Sequence, residues 1–335
     1  LWVTEAIPLF VTSLLVLFLS LVWLAPVMRE SGEAIENSAF LSQFFSEIII
    51  LFLGGFVLSA ALHKLRLDEW LARSIIGRTG GSIPLLVMSV MVITAILSMW
   101  LSNTATAAMM LAIVIPMTNR LPTEDAYAKC LLLSIPFAAN IGGLGTPIGS
   151  PPNAIAMEYM QQIGVNPSFG QWMVIGLPGV IVMLVVAWLV LMLLFRGDAT
   201  SLPMEEDDLR IESSTSLYVV LITTGVTILG WVTSSAHGYH AGVVALIPVL
   251  VFFSVGILGV KDLRSLSWEV LLLMGGGLCL GTAISRSGLA EWMVGLLPVE
   301  GVSVYVLMVV FGTLACIMSS VMSNTATANL VMPII

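Results

Sequence analysis

Long apolar runs follow one another along this chain, at about 1–25, 44–66, 83–118, 126–160, 171–196, 216–235, 240–260, 267–285 and 302–335. A helix rises 1.5 Å per residue, so about 20 apolar residues cross the roughly 30 Å hydrocarbon core of a bilayer. The pattern predicts an all-α polytopic membrane protein. Two runs are interrupted from within, because 83–118 and 302–335 each carry Ser-Asn-Thr-Ala-Thr, at 102–106 and 323–327. Each reads as a re-entrant helical hairpin that dips in and returns, the alternative being one long kinked span. A third interruption, Asn-Ile-Gly-Gly-Leu-Gly-Thr-Pro-Ile-Gly-Ser-Pro-Pro-Asn at 140–153, sits inside the run 126–160. Its glycines and prolines predict a broken transmembrane helix whose unwound backbone lines a cavity, since lipid cannot satisfy it. It lacks the GxxxxGK[ST] pattern of a phosphate-binding loop.

Composition agrees with the pattern. The chain is 58% hydrophobic and 10% charged, against about 25% charged in soluble domains, which excludes a water-soluble globule. Its net charge of −8 says little about a partner, because many acids fall in two solvated stretches, 30–47 and 205–212. The cations are more informative. With the two hairpins re-entrant and the other runs crossing once, Lys64, Arg66, Arg73, Arg78, Arg120, Lys129, Arg196, Arg210, Lys261 and Arg264 fall on one side, and Arg29 and Arg286 on the other. Positive residues concentrate on the cytoplasmic side, so loops 63–82, 119–129, 196–215 and 261–266 are expected there. The first hairpin then opens from the cytoplasm.

The chain also repeats itself. Glu47, Gly55, Leu67, Glu69 and Trp70 recur as Glu269, Gly277, Leu289, Glu291 and Trp292 at an offset of 222 residues, and the two Ser-Asn-Thr-Ala-Thr runs are offset by 221. Counting the run that starts at 44 itself, five crossings lead to the start of its partner at 267, so the partner runs the opposite way and the fold is expected to be an inverted-topology repeat with two re-entrant helical hairpins and broken transmembrane helices. Such repeats place broken helices at the membrane midplane of many secondary transporters. Leu1 and Ile335 both lie inside apolar runs, so the chain reads as a fragment truncated at both ends.

Serine, asparagine and threonine in an apolar hairpin need polar partners at depth. One copy has a bland alternative as helix-packing glue; two copies at repeat positions argue against it. A hairpin tip sets carbonyl oxygens at one helix end beside free amides at the next helix start. Carbonyls suit a hard cation and amides an anion, and the asparagine side chain offers both functions. Other residues add little. Cys130, Cys279 and Cys316 read as core, and His63, His237 and His240 form no ligand cluster. Trp2, Trp23, Trp70, Trp172, Trp231 and Trp292 read as interfacial anchors near span ends. No ionisable group lies in the hairpin tips or in 140–153, which favours sodium over protons as coupling ion.

The paired Ser-Asn-Thr motifs, the Gly-Thr-Pro-Ile-Gly-Ser-Pro-Pro-Asn loop and the early Trp2-Val3-Thr4-Glu5-Ala6-Ile7-Pro8 resemble the divalent anion/sodium symporter family, its bacterial dicarboxylate carriers in particular. The resemblance implies that Ser98, Ser102, Asn103 and Gly149 hold one sodium ion, mostly through backbone oxygens, and that Ser319 and Asn324 stand near a second. It implies substrate contacts from Ser102, Asn103, Thr104 and Ser150 in the first repeat, and from Ser323, Asn324 and Thr325 in the second. It further implies a homodimer in the bacterial inner membrane working by an elevator motion. By position, 1–82 is scaffold of repeat 1, 83–196 its transport part, 197–215 a cytoplasmic linker, 216–301 scaffold of repeat 2, and 302–335 an incomplete second hairpin of the transport domain. The unwound helix that should follow that hairpin lies past Ile335, so half of the second sodium site is missing and the fragment is expected not to transport.

The implied function is sodium-coupled uptake of a C4-dicarboxylate such as succinate. Within transport, citrate, tartrate or sulfate carriage, an ion-transporter-type antiporter and an oxyanion exporter stay open. An intramembrane enzyme would need a nucleophile with its base or a metal motif such as HExxH, and neither pattern is present, so no catalytic residue and no transition metal is expected. Beyond the anion, sodium and the bilayer, no cofactor and no nucleic-acid partner is expected.

Overall fold

The computed structural model describes all residues except Val3, Gly80, 122–124, 198–213, 290, 291, 293, 294, 296–301 and Ile335. Most of the expected linker 197–215 with Arg210, the repeat position Glu291, and Val3 of the opening run therefore lie outside the described residues. Every regular element that is described is helical.

In chain order the principal helices are α1 (Leu9–Glu30), α2 (Glu47–Lys64), α3 (Leu67–Ile76), α4 (Ile83–Ser98), α5 (Asn103–Thr118), α6 (Ala126–Gly143) and α7 (Pro151–Gln162). They continue with α8 (Phe169–Leu194), α9 (Thr215–Val232), α10 (Ala241–Ser254), α11 (Val260–Arg264), α12 (Trp268–Arg286), α13 (Val304–Ser319) and α14 (Asn324–Val331). Among the described residues, five stretches are long and apolar enough to cross a membrane: Leu9–Glu30, Ser38–Lys64, Phe169–Leu194, Thr215–Val232 and Trp268–Arg286. By contrast α4, α5 and α13 have 16 residues each, a rise of about 24 Å that falls short of the hydrocarbon core. That shortness suits hairpin arms. α1 widens into a π turn at Ser20–Leu24, where the Ala25 N–H donates to Ser20 O, just before Pro26. Proline has no N–H to give and crowds the turn before it, which a wider turn relieves.

The chain divides into two compact units, one of Leu1–Leu53, Pro151–Pro167 and Ser267–Ile335, the other of Gly54–Ser150 and Ser168–Leu266. In the second unit α6 lies against α4, α5 and α8. Leu86, Val90 and Ile93 of α4, Met110 and Val114 of α5, and Leu131, Ile135 and Ala138 of α6 form its core. The α4–α6 crossing is tight because Gly142 carries no side chain: a Cβ there would collide with the backbone of Ala95. In the first unit α12 is the spine. Successive small positions let it take Ser13 of α1 at Gly276, Asn329 of α14 at Gly277 and Tyr159 of α7 at Gly281. Small residues that bring backbones together are the usual packing device where lipid removes the hydrophobic drive between helices.

The α2–α3 elbow is tied down by charge. Arg66 adopts a left-handed conformation (φ 54°) that ends one helix and starts the next. Glu69 accepts from both Arg66 (2.7 Å) and Arg73 (2.9 Å), and the Lys64 ammonium lies 2.7 Å from Asp262 of α11. Not every apolar assignment from the sequence holds. Trp231 and Trp2 are core residues and not interfacial anchors: Trp231 is fully buried and donates from Nε1 to Ala241 O at 2.9 Å, and Trp2 donates to Leu9 O at 3.2 Å. Each indole N–H finds a carbonyl at a helix end, which removes the need for water. Cys130 and Cys279 are buried as expected, whereas Cys316 is exposed on α13.

Two outcomes follow. Gly142→Ala should cost about 1–3 kcal/mol, the range for overpacking, whereas Gly225→Ala in α9, with nothing within 4 Å of the added Cβ, should be neutral or stabilising by up to about 1 kcal/mol through helix propensity. Thermal unfolding midpoints in detergent compare the two. For Asp262, the hydrogen bond from Lys64 and the N–H of Gly259 hold the carboxyl below its usual range. The folded state therefore binds this proton less tightly than the unfolded chain, and the contribution is full above the unfolded carboxylate range and fades as pH falls through it. The stability gap between the protein and its Asp262→Asn variant should be present at pH 7 and shrink below about pH 4.

Candidate functional site

Both Ser-Asn-Thr-Ala-Thr runs begin a helix in the same way. Ser102 caps α5 with φ −64° and ψ 142°, its Oγ accepting from the Ala105 N–H at 3.2 Å. Ser323 caps α14 with φ −63° and ψ 147°, its Oγ accepting from the Ala326 N–H at 3.2 Å. A serine cap takes one of the four backbone donors a helix start leaves unpaired. In each repeat the preceding arm ends on a serine, Ser98 or Ser319, and four residues make the turn.

In the first repeat this turn meets the broken helix. The break is narrower than 140–153. Asn140–Gly143 remain in α6, Pro151 and Pro152 occupy the first turn of α7, and only 144–150 is non-helical. Proline suits that first turn because the missing N–H would have had no helical partner. Gly143 and Gly149 let the two sides of the break touch, since a Cβ on Gly149 would lie 2.6 Å from Gly143 O. Thr146 stitches the break to the hairpin: its hydroxyl donates to Met99 O at 2.5 Å and accepts from the Gly149 N–H at 3.1 Å. Ser98, fully buried, donates to Ala139 O at 2.8 Å.

The Asn103 carboxamide lies in the middle. With its nitrogen inward the NH₂ lies within hydrogen-bond distance of three acceptors, Ser98 Oγ (2.6 Å), Gly149 O (3.1 Å) and Ala139 O (3.3 Å), one more than its two N–H groups can serve. With its oxygen inward it accepts from the Ser98 hydroxyl at 2.6 Å, and its nitrogen donates to Asn140 Oδ1 at 3.3 Å. Three oxygens thus converge on one atom position, an arrangement that suits an N–H donor and equally a hard cation. Ser102 and Thr104 are exposed at the start of α5, and Ser150 is half-buried at the end of the break. The first-turn amides of α5 and its dipole favour an anion there.

Of the residues expected from the sequence, Ser98, Asn103 and Gly149 come together in this centre, while the Ser102 side chain serves as the cap. Ala139 O, Asn140, Met99 O and Thr146 also belong to it. Asn140 and Thr146 were visible as polar residues in the glycine and proline run; the two carbonyls had no signal in side-chain chemistry. In the second repeat the Ser319 hydroxyl donates instead to Cys316 O of its own helix at 3.1 Å. Asn324 is exposed, and Ser323 and Thr325 are half-buried. The last threonines of the two runs, Thr106 and Thr327, are both buried, with hydroxyls that have no hydrogen-bond partner among the described residues.

A family model described as citrate transporter matches residues 1–335, the whole chain. An uncharacterized transporter of Schizosaccharomyces pombe is 31% identical over 345 residues, and the inorganic phosphate transporter PHO87 of Saccharomyces cerevisiae 30% over 346. The sodium-dependent dicarboxylate transporter SdcS of Staphylococcus saprophyticus is 35% identical over 370. Each aligns with 100% of this chain, which spans 39%, 37% and 70% of their respective lengths.

The contrast between the two arm-ending serines is testable by stability alone. Ser98→Ala leaves buried acceptors unmet and should lower stability by about 1–3 kcal/mol. Ser319→Ala, which removes a bond within one helix, should stay within about 0.5 kcal/mol. Unfolding midpoints of the two variants, with no added ligand, decide it.

Proposed function

Because the chain belongs to the citrate transporter family, we propose that it carries the binding machinery of a secondary transporter that couples sodium entry to uptake of a carboxylate anion, most specifically a C4-dicarboxylate such as succinate. The observation that carries this reading is the convergence of Ser98 Oγ, Ala139 O and Gly149 O on the Asn103 carboxamide, beside the uncrowded start of α5. Sodium replaces the amide nitrogen among those oxygens, held by Ser98, Asn103, Gly149 and the Ser102 backbone. The substrate carboxylate meets the amides of the α5 start with Ser102, Asn103, Thr104 and Ser150. A cation at one helix end and an anion at the next favour each other, which is the coupling. In the second repeat Ser323, Asn324 and Thr325 take the other carboxylate, and Ser319 and Asn324 stand by a second sodium ion.

Transport then proceeds by an elevator motion of a homodimer, with 83–196 and 302–335 moving against 1–82 and 216–301, and with loops 63–82, 119–129, 196–215 and 261–266 on the cytoplasmic side of a bacterial inner membrane. The name of the staphylococcal relative supports sodium and dicarboxylate. The yeast relative, named a phosphate transporter and 30% identical, favours a second reading in which the same helix start holds an inorganic oxyanion.

Proteoliposomes holding the full-length protein should take up labelled succinate with an inward sodium gradient and not with potassium. Equal uptake in the two salts overturns the sodium reading. Uptake of labelled phosphate that unlabelled phosphate inhibits and succinate, citrate and tartrate do not would select the oxyanion reading. Asn103→Ala should weaken sodium-dependent binding about tenfold or more, the scale of a lost hydrogen bond to a charged group.

A further inference from the structure

The oxygens of the candidate sodium site belong to two pieces of chain, the hairpin turn after α4 and the break after α6, and the site is only as well defined as the spacing between them. One face of α8 touches both pieces. Phe169, in its first turn, stacks on Trp100 of the hairpin turn, with ring centroids 6.3 Å apart and planes at 16°. Phe169 also stacks on the fully buried Trp231 at 5.1 Å and 13°, and Trp231 stacks on Trp100 at 6.4 Å and 6°, so the three rings form one cluster. One turn along α8, the Trp172 Nε1–H donates to Leu144 O, the first residue of the break, at 3.0 Å. Gly176, a further turn along, passes so close that an added Cβ would lie 2.9 Å from the same carbonyl.

Residues 169, 172 and 176 lie at i, i+3 and i+7, on one side of a helix. The start of α8 is itself fixed by a capping box in which Ser168 Oγ accepts from the Gln171 N–H at 3.2 Å and Gln171 accepts from the Ser168 N–H at 2.8 Å. Aromatic stacking and an indole hydrogen bond are stiff compared with a turn and an unwound loop.

We propose that Phe169, Trp172 and Gly176 of α8 are positioning residues that set ion selectivity: they fix the gap between the hairpin turn and the break, and so the size of cation that the oxygens around Asn103 accept. This rests on the sodium reading above. None of the three residues supplies an oxygen of the site; they act through Trp100 and Leu144. A cation site made of neutral oxygens discriminates by how closely those oxygens are held, so a looser frame accepts lithium and sodium more equally.

The test measures cation-dependent binding of labelled succinate to the purified full-length protein, with sodium and with lithium, in Trp172→Phe, Phe169→Leu and Gly176→Ala. Trp172→Phe keeps an aromatic side chain and loses the indole N–H that bonds Leu144 O, together with part of the ring area. The ratio of half-saturating lithium to half-saturating sodium should shift by about threefold to tenfold, the range of one hydrogen bond's net contribution. A Phe169→Tyr variant, which keeps the stack, should hold the ratio near its original value. The ratio is independent of how much protein folds. If Trp172→Phe and Gly176→Ala both leave it unchanged, the inference is overturned. Asn103→Ala separates the two ideas: if it removes cation-dependent binding while the α8 variants leave the ratio intact, the sodium reading stands and the positioning role falls.

Discussion

Everything around the candidate site depends on one requirement, that backbone groups exposed by broken helices must find partners inside the protein when hydrocarbon lies outside. The turn between α4 and α5 and the break between α6 and α7 meet it together. Thr146 gives its hydroxyl to Met99 O of the turn, and Ser98 gives its own to Ala139 O just before the break. Each interruption therefore supplies what the other lacks. Separate, each would leave buried carbonyls unmet at a cost of about 1–3 kcal/mol apiece; joined, they enclose a set of oxygens around Asn103. The site follows from solving the folding problem of two broken helices at once.

Glycine makes that solution reachable. Gly142 lets α6 lie directly on α4 at Ala95, and Gly143 leaves room for the Asn103 carboxamide, whose oxygen would lie 2.7 Å from an added Cβ. A side chain at either position would move the break away from the turn. In the other unit the same device is used for packing, with Gly276, Gly277 and Gly281 of α12 taking three different helices. The contrast separates two uses of one residue type. On α12 close approach builds a spine, whereas on α6 it builds a polar chamber.

Much of this was legible in the sequence because polar residues in apolar runs have few permitted explanations. The Ser-Asn-Thr-Ala-Thr runs were recognisable as hairpin tips, and the glycine and proline run as a break, from what lipid forbids. The break was read too wide because glycine tolerates both helix and loop, and only the fit of Gly142 against Ala95 decides for helix. Trp231 was misread for a related reason. A tryptophan near a span end suits an interface by composition, but its placement is set by Trp100 and Phe169, distant in sequence and joined only by folding. In the frame around the site, Phe169 carried no local signal, and Trp172 stood out only as a tryptophan near a span end, not as the donor to Leu144 O. Stacking partners and carbonyl acceptors are properties of the fold.

The repeat sharpens the point about what a motif encodes. The Ser102 and Ser323 caps match to within 5° in ψ and share a 3.2 Å bond to the third residue of their helices, so the pentapeptide encodes the helix start by itself. The serines that end the preceding arms behave differently. Ser98 reaches across to α6 and Ser319 turns back to Cys316, although both stand four residues before their cap. A helix start is local and repeats wherever its sequence repeats; a cluster of converging oxygens is not, because it needs a second broken element brought to the tip. The duplicated motif therefore fixes the same helix start in each repeat, and what lies against it decides which polar groups face that start.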